Sequence, residues 1–359
     1  MQIVAAPARL GRLRKSRTGA VQDALVAWYR ANARDLPWRR TRDPYAIVVS
    51  ELMLQQQTVR HVTPVYRCFL ERFPDLRALA TASLADVIRT WQPLGRYSSA
   101  VRLQAIARHL LAERGGAVPG TVDALLQLGG VGRYTAGAIA CFAFDQRAPL
   151  VDTNVRRVLV RLTGVDLPPG AAAERGVWEL ATALLPAGTA YEWNQGLLDL
   201  GAAVCIARRP RCEACPLTPW CEFHRHRAAP EGRPAGRPGA RQSGARAVAE
   251  ARGAYGATAP AVAPVPDGPA APGIRRTPRF EGSRRWYRGQ IMQALCALPA
   301  GASLAVDDLV RRLDRAGHPP DAALLESLLG ALHRDGLLCR ETGEDGATWL
   351  ALPEGGVAG

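Results

Sequence analysis

The chain has no run of eighteen consecutive apolar residues, which excludes a membrane span read from hydropathy. Its first twenty residues carry Arg9, Arg12, Arg14, Lys15 and Arg17 but lack the apolar stretch that follows such charges in a secretory signal. A loose basic arm over residues 1–20 is the expectation there. Strand alternation is missing from Val21 to about Arg227, so that span is not a β-rich domain. Four of the eight cysteines, Cys68, Cys141, Cys296 and Cys339, lie singly among apolar residues. They do not compose a disulfide framework and fit reduced core positions in a reducing compartment. Lysine is nearly absent, Lys15 being the only one, so arginine carries the excess of 46 basic over 32 acidic residues.

The formal charge of +14 suits a polyanionic partner, although a GC-rich genome also favours arginine. With 359 residues, 48% of them hydrophobic, the chain has material for two compact domains and a linker. Apolar residues recur at three and four in DALVAWYRANA, SLADVIRTW and SSAVRLQAIARHLLAE, giving an all-helical domain over residues 21–227. Asp75, Ser83 and Thr121 are placed to cap helices. Residues 228–278 are rich in Pro, Ala, Gly and Arg with Tyr255 the only aromatic, the composition of a basic linker that cannot bury a core. Residues 279–359 read as three helices and a hairpin, a small winged-helix-like domain in which Arg284, Arg285 and Arg288 either touch DNA phosphate or line a solvated face.

Two patterns carry chemistry. Cys205, Cys212, Cys215 and Cys221 are separated by six, two and five residues. Four thiolates so spaced can surround one metal centre, either zinc or an iron–sulfur cluster, and spacing does not choose between them. Upstream, Leu128-Gly129-Gly130-Val131-Gly132 joins two helical segments. Such a turn either presents backbone N–H groups to a phosphate or is a tight helix–helix corner.

Residues 21–227 resemble the helix-hairpin-helix glycosylase superfamily, and within it the adenine DNA glycosylases that repair adenine opposite 8-oxoguanine. The resemblance is carried by LPWRRTRDPYAIVVSELMLQQ at 36–56, LGGVGRYTAGA at 128–138, VDTNVRRVL at 151–159 and NQGLLDLGAAVC at 194–205. It implies an all-α helix-hairpin-helix DNA glycosylase fold whose Cys205, Cys212, Cys215 and Cys221 hold a [4Fe–4S] cluster, with the winged-helix-like domain appended. The implied partner is double-stranded DNA containing a mismatch or damaged base, met by a monomer in the bacterial cytoplasm at the nucleoid. Glu51 becomes the general acid that protonates the purine, and Asp152 the ionised stabiliser of the sugar cation. Tyr134 stands where a related bifunctional enzyme has its Schiff-base lysine, so strand cleavage through an imine is not expected. By the same resemblance Arg39 lines the base pocket, Gln55 and Gln56 fill the gap left by the extruded nucleotide with Leu54 as wedge, and Gly130 and Gly132 grip phosphate. Arg156 and Arg157 are further phosphate candidates.

The pattern departs from the family where the opposite base is read. Gln57-Thr58 follows the glutamine pair in place of Thr-Gln, and Arg96 and Ser99 stand at positions of Tyr and Arg. Thr153 replaces the glycine after the catalytic Asp, and the tail after Ala228 lacks the strand pattern of a Nudix-like lesion-sensing domain. The function expected is a monofunctional glycosylase releasing adenine opposite 8-oxoguanine or guanine. The alternatives are a divergent glycosylase for another mismatched or damaged base, or an inactive damage-binding protein.

Overall fold

The computed structural model describes residues 15–167, 170–228, 280–344 and 346–354. Arg9, Arg12 and Arg14 of the expected arm and residues 229–278 of the expected linker lie outside the described residues. A helix from Lys15 to Asn32 begins inside the stretch read as an arm. The chain divides into two units, residues 1–51 with 118–248 and residues 52–117 with 249–359.

The first unit is helical throughout its described residues. Helix Ala190–Ala203 packs against Lys15–Asn32 and Thr153–Thr163, burying Leu25, Val155, Leu159, Trp193, Leu197 and Leu200. Gly196 makes the first of these contacts possible: a Cβ there would stand 3.2 Å from Leu25 and 3.3 Å from Tyr29. Thr121 caps Val122–Leu126 by accepting from Ala124 N–H, as its place in the sequence indicates. A turn then leads into Arg133–Phe144, with Leu128 and Val131 buried and Gly129, Gly130 and Gly132 exposed. Gly130 adopts φ +81°, a left-handed conformation that lets the chain reverse there.

In the second unit, helices Val59–Arg72, Leu76–Thr81, Leu84–Trp91 and Tyr97–Arg114 start at Thr58, Asp75, Ser83 and Arg96. The first three starting residues accept a backbone N–H through their side chains; Arg96 makes no such cap. Leu84, Val87, Ile88 and Trp91 form a buried stripe, and Phe69 meets Trp91 edge to face at 5.9 Å. The C-terminal part is mixed α/β, which corrects the all-α expectation for the whole chain. Helices Arg284–Cys296, Val306–Arg315 and Ala322–Arg334 accompany an antiparallel sheet ordered Ser303–Ala305, Thr348–Ala351, Cys339–Thr342. Strand Ser303–Ala305 was hidden because its three residues run directly into the following helix and show no alternation of their own. Among the described residues no helix is long and apolar enough to cross a membrane.

Candidate active site

Glu51 and Asp152 belong to the first unit, and so do Tyr134 and Arg39. Glu51 is near the end of helix Pro44–Met53 and only 5% exposed. Burial pushes its carboxyl up to about 7; the Arg39 guanidinium opposes this and the Asp152 carboxylate adds to it. The Tyr134 hydroxyl is pushed well up, first by burial and then by Glu51 and Asp152. These mutual influences put the two carboxyls and the phenol in one electrostatic neighbourhood. The sequence places them 101 and 83 residues apart from Glu51.

Asp152 has a different environment from Glu51. It caps helix Thr153–Thr163: Oδ1 accepts from Val155 N–H at 2.7 Å and Oδ2 from Asn154 Nδ2 at 3.1 Å. Burial still raises its pKa, but both hydrogen bonds and the Arg157 charge work to keep it ionised. Arg157 continues the chain of contacts. Its Nη2 donates to Asn154 Oδ1 and Gly201 O, both at 2.8 Å, and its Nε donates to Cys205 O at 2.8 Å. Gly201 has no Cβ because Asn154 lies against it; a Cβ there would approach the Asn154 side chain to 2.7 Å. Arg157 is therefore occupied inside the protein, whereas Arg156 is exposed and 3.8 Å from Glu174.

Arg39 forks onto Asp199, with Nη1–Oδ2 at 2.7 Å and Nη2–Oδ1 at 2.8 Å. Arg34 Nε adds a 2.6 Å bond to the same carboxylate. Asp199 is 1% exposed, yet against that burial the two guanidiniums hold its pKa below the usual carboxylate value. The Arg39 Nε is buried with no partner among the described residues, a donor left over beside Glu51. Sequence reasoning placed Arg39 but overlooked Asp199, Arg34 and Asn154. The signal for Asp199 was a carboxylate between Leu198 and Leu200 in an apolar helix, a position that requires a partner.

The glycine turn is open to solvent: nothing lies within 4 Å of where a Cβ would stand on Gly129 or Gly132. The N–H groups at the start of Arg133–Phe144 have no side-chain cap from Gly132. In the second unit, Leu54 and Gln55 are half-buried while Gln56 and Arg96 are exposed.

The [4Fe–4S] expectation is corrected. Cys205, Cys212, Cys215 and Cys221 border one cavity, but among the described residues no group of three or more His, Cys, Asp or Glu side chains is placed to hold a metal ion. Polypeptide contacts engage two of the sulfurs: Arg161 Nη1 donates to Cys205 Sγ at 3.5 Å, and Cys221 Sγ donates to Arg161 O at 3.4 Å. Burial pushes the Cys215 thiol up to about 11 and raises that of Cys221. Spacing along the chain limited how far apart these cysteines could lie without dictating convergence on one centre. The iron–sulfur subdomain and the metal-binding assignment fall with it.

Residues 49–182 match the family described as "HhH-GPD superfamily base excision DNA repair protein". An adenine DNA glycosylase of Mycobacterium tuberculosis (strain ATCC 25618 / H37Rv) is 45% identical over 208 residues, covering 57% of this chain and 68% of that protein. The adenine DNA glycosylase of Rattus norvegicus is 43% identical over 210 residues, covering 56% of this chain and 41% of that protein, so the match spans about two-fifths of the rat protein. Among solved structures, a thermostable thymine-DNA glycosylase superposes with a TM-score of 0.54 at 31% identity, covering 59% of this chain and 98% of that one. The chain belongs to the HhH-GPD superfamily of base excision DNA repair proteins, in its adenine DNA glycosylase family.

Proposed function

We propose that this protein is a monofunctional DNA N-glycosylase that releases adenine paired with 8-oxoguanine or guanine. The observation that carries the reading is the difference within one pair of carboxyls: burial pushes Glu51 up to about 7, while Asp152, which burial also raises, accepts two hydrogen bonds and is opposed by the Arg157 charge. A proton donor and a charged stabiliser need different environments. Glu51 gives its proton to N7 of the extruded purine, and the C1′–N9 bond breaks with its electron pair leaving on the base. Asp152 faces the cation that develops at C1′ until water adds there. Arg39 lines the base pocket and offers its spare Nε, while Tyr134 borders both carboxyls. The Gly130 and Gly132 turn holds a backbone phosphate, and Arg156, exposed beside Glu174, adds to that grip. Leu54, Gln55, Gln56 and Arg96 belong to the machinery that fills the gap and meets the opposite base.

Arg157 serves better as a positioning residue than as a phosphate clamp, because its donors are used on Asn154, Gly201 and Cys205. Arg157→Gln should lower the single-turnover rate about tenfold or more while leaving DNA affinity and its salt dependence nearly unchanged. A change confined to salt-dependent affinity would return Arg157 to the phosphate role.

The decisive test is single-turnover excision across duplexes carrying A:8-oxoguanine, A:G, A:C, hypoxanthine, uracil and T:G. Adenine release lost in Glu51→Gln and Asp152→Asn supports the reading; release of thymine or uracil alone overturns it. Borohydride should trap no covalent complex, since position 134 is tyrosine and the sole lysine is Lys15, at the start of the first helix. A trapped imine would reject the monofunctional mechanism.

A further inference from the structure

The segment between helices Lys15–Asn32 and Pro44–Met53 carries three arginines, each seated on a partner within the first unit. Arg34 and Arg39 share Asp199. Arg42 lies over the Tyr191 ring, its guanidinium carbon 3.8 Å from the centroid, and its Nη1 donates to Phe142 O at 2.8 Å. Phe142 meets the same tyrosine edge to face at 5.5 Å. Tyr191 and Asp199 both belong to helix Ala190–Ala203, so one helix receives both ends of the segment.

Arg39 has a second neighbour besides Asp199. Its guanidinium carbon lies over the Tyr29 ring, 5.6 Å from the centroid. Tyr29 is 6% exposed, and burial pushes its hydroxyl up to about 12 with the Arg39 charge opposing, so it meets Arg39 as a neutral ring. The missing Cβ of Gly196 lets Tyr29 lie close against the helix that carries Asp199. A two-pronged bond to a carboxylate fixes a guanidinium within its own plane but resists tilting out of that plane poorly. A ring against one face supplies that resistance. Together the carboxylate and the ring leave Nε as the donor with no partner among the described residues, and Glu51 is within reach of the Arg39 charge.

We infer that Tyr29 and Tyr191 are positioning residues for base excision: Tyr29 holds the plane of Arg39 and Tyr191 anchors the same segment through Arg42, so that the spare Arg39 Nε keeps one direction in the base pocket. The inference rests on the glycosylase reading above and adds two side chains that act on the extruded base only through arginine.

The test uses the full-length chain and measures the single-turnover rate of adenine excision opposite 8-oxoguanine beside the affinity for the same duplex. Tyr29→Leu removes the ring and should lower the rate roughly three- to tenfold, the effect of one buried cation–π contact, with affinity nearly unchanged. Tyr29→Phe keeps the ring without the hydroxyl and should retain the wild-type rate. Tyr191→Leu and Arg42→Met break the second seat from either side. Each should slow excision, and together they should cost clearly less than the product of their separate effects. Gln22→Leu is the control for packing: it removes the bond from helix Lys15–Asn32 to Leu184 O and should lower stability without changing the rate. A wild-type rate in folded Tyr29→Leu or Tyr191→Leu protein would overturn the inference, as would a Tyr29→Phe protein as slow as Tyr29→Leu or an equal loss in Gln22→Leu. A wild-type protein that releases no purine from any duplex would instead sink the glycosylase reading, and this inference with it.

Discussion

Glu51→Gln should abolish excision and, above neutral pH, make the protein more stable than the wild type. The two effects have one origin. Glu51 is buried and its carboxyl titrates near 7, against an ordinary value of 4.5. A group whose folded pKa is raised contributes its full share of stability below the unfolded value and loses it as pH rises through the folded value. Between pH 4.5 and 7 the protonated carboxyl becomes progressively harder to keep; by pH 8 the fold holds a buried anion at a cost on the order of 3 kcal/mol. Glutamine has the same shape and no charge to desolvate, so the variant should melt higher at pH 8, with the gap closing toward pH 5. It also has no proton to give, and the loss of a general acid should cost roughly 10²–10⁴ in rate. In the wild type the single-turnover rate should fall as pH rises through about 7, as Glu51 ionises. A rate flat across that range, or a stability gap independent of pH, would remove Glu51 from the acid's role.

What could be read in advance divides along physical lines. Capping residues act within three positions of themselves, and Asp75, Ser83 and Thr121 cap helices as the sequence alone indicates. The helical periodicity of residues 21–227 translated into the helices observed among the described residues because each apolar stripe is a local pattern. Glu51 was legible as an anomaly, a carboxylate in IVVSELML. Asp199 carried the same signal in LLDLG but was passed over, because the partners that explain it, Arg34 and Arg39, are at least 160 residues away in the chain. The contacts of Arg157 were hidden for a related reason. An arginine five residues after Asp152 on the same helix looks available for phosphate until Asn154, Gly201 and Cys205 are found to use its donors. The cysteine run failed in the opposite direction: its four side chains border one cavity, yet among the described residues no group is placed to hold a metal ion.

Asp199→Asn should be among the most damaging single changes outside the two carboxyls. Asp199 is 1% exposed and balances two arginines, of which the Arg39 side chain is only 7% exposed. Breaking a buried ion pair from one side typically costs about 3–5 kcal/mol, because the remaining charge stays desolvated without its counterion. Denaturant unfolding should show a loss of that order. The chemistry should shift as well. Arg39 is the cation that opposes the upward push on Glu51; released from Asp199, its charge acts on Glu51 with less compensation and draws that carboxyl below 7. The alkaline fall in excision rate should therefore move to lower pH in Asp199→Asn. Removing both ends in Arg39→Met with Asp199→Leu should recover part of the stability, because the buried Arg39 charge goes with its counterion and only the more exposed Arg34 loses this partner, and move the fall to higher pH. Opposite shifts in the two variants would mark Asp199 as the residue that sets how much of the Arg39 charge reaches the acid. A destabilised Asp199→Asn protein whose pH profile matches the wild type would confine Asp199 to holding the fold.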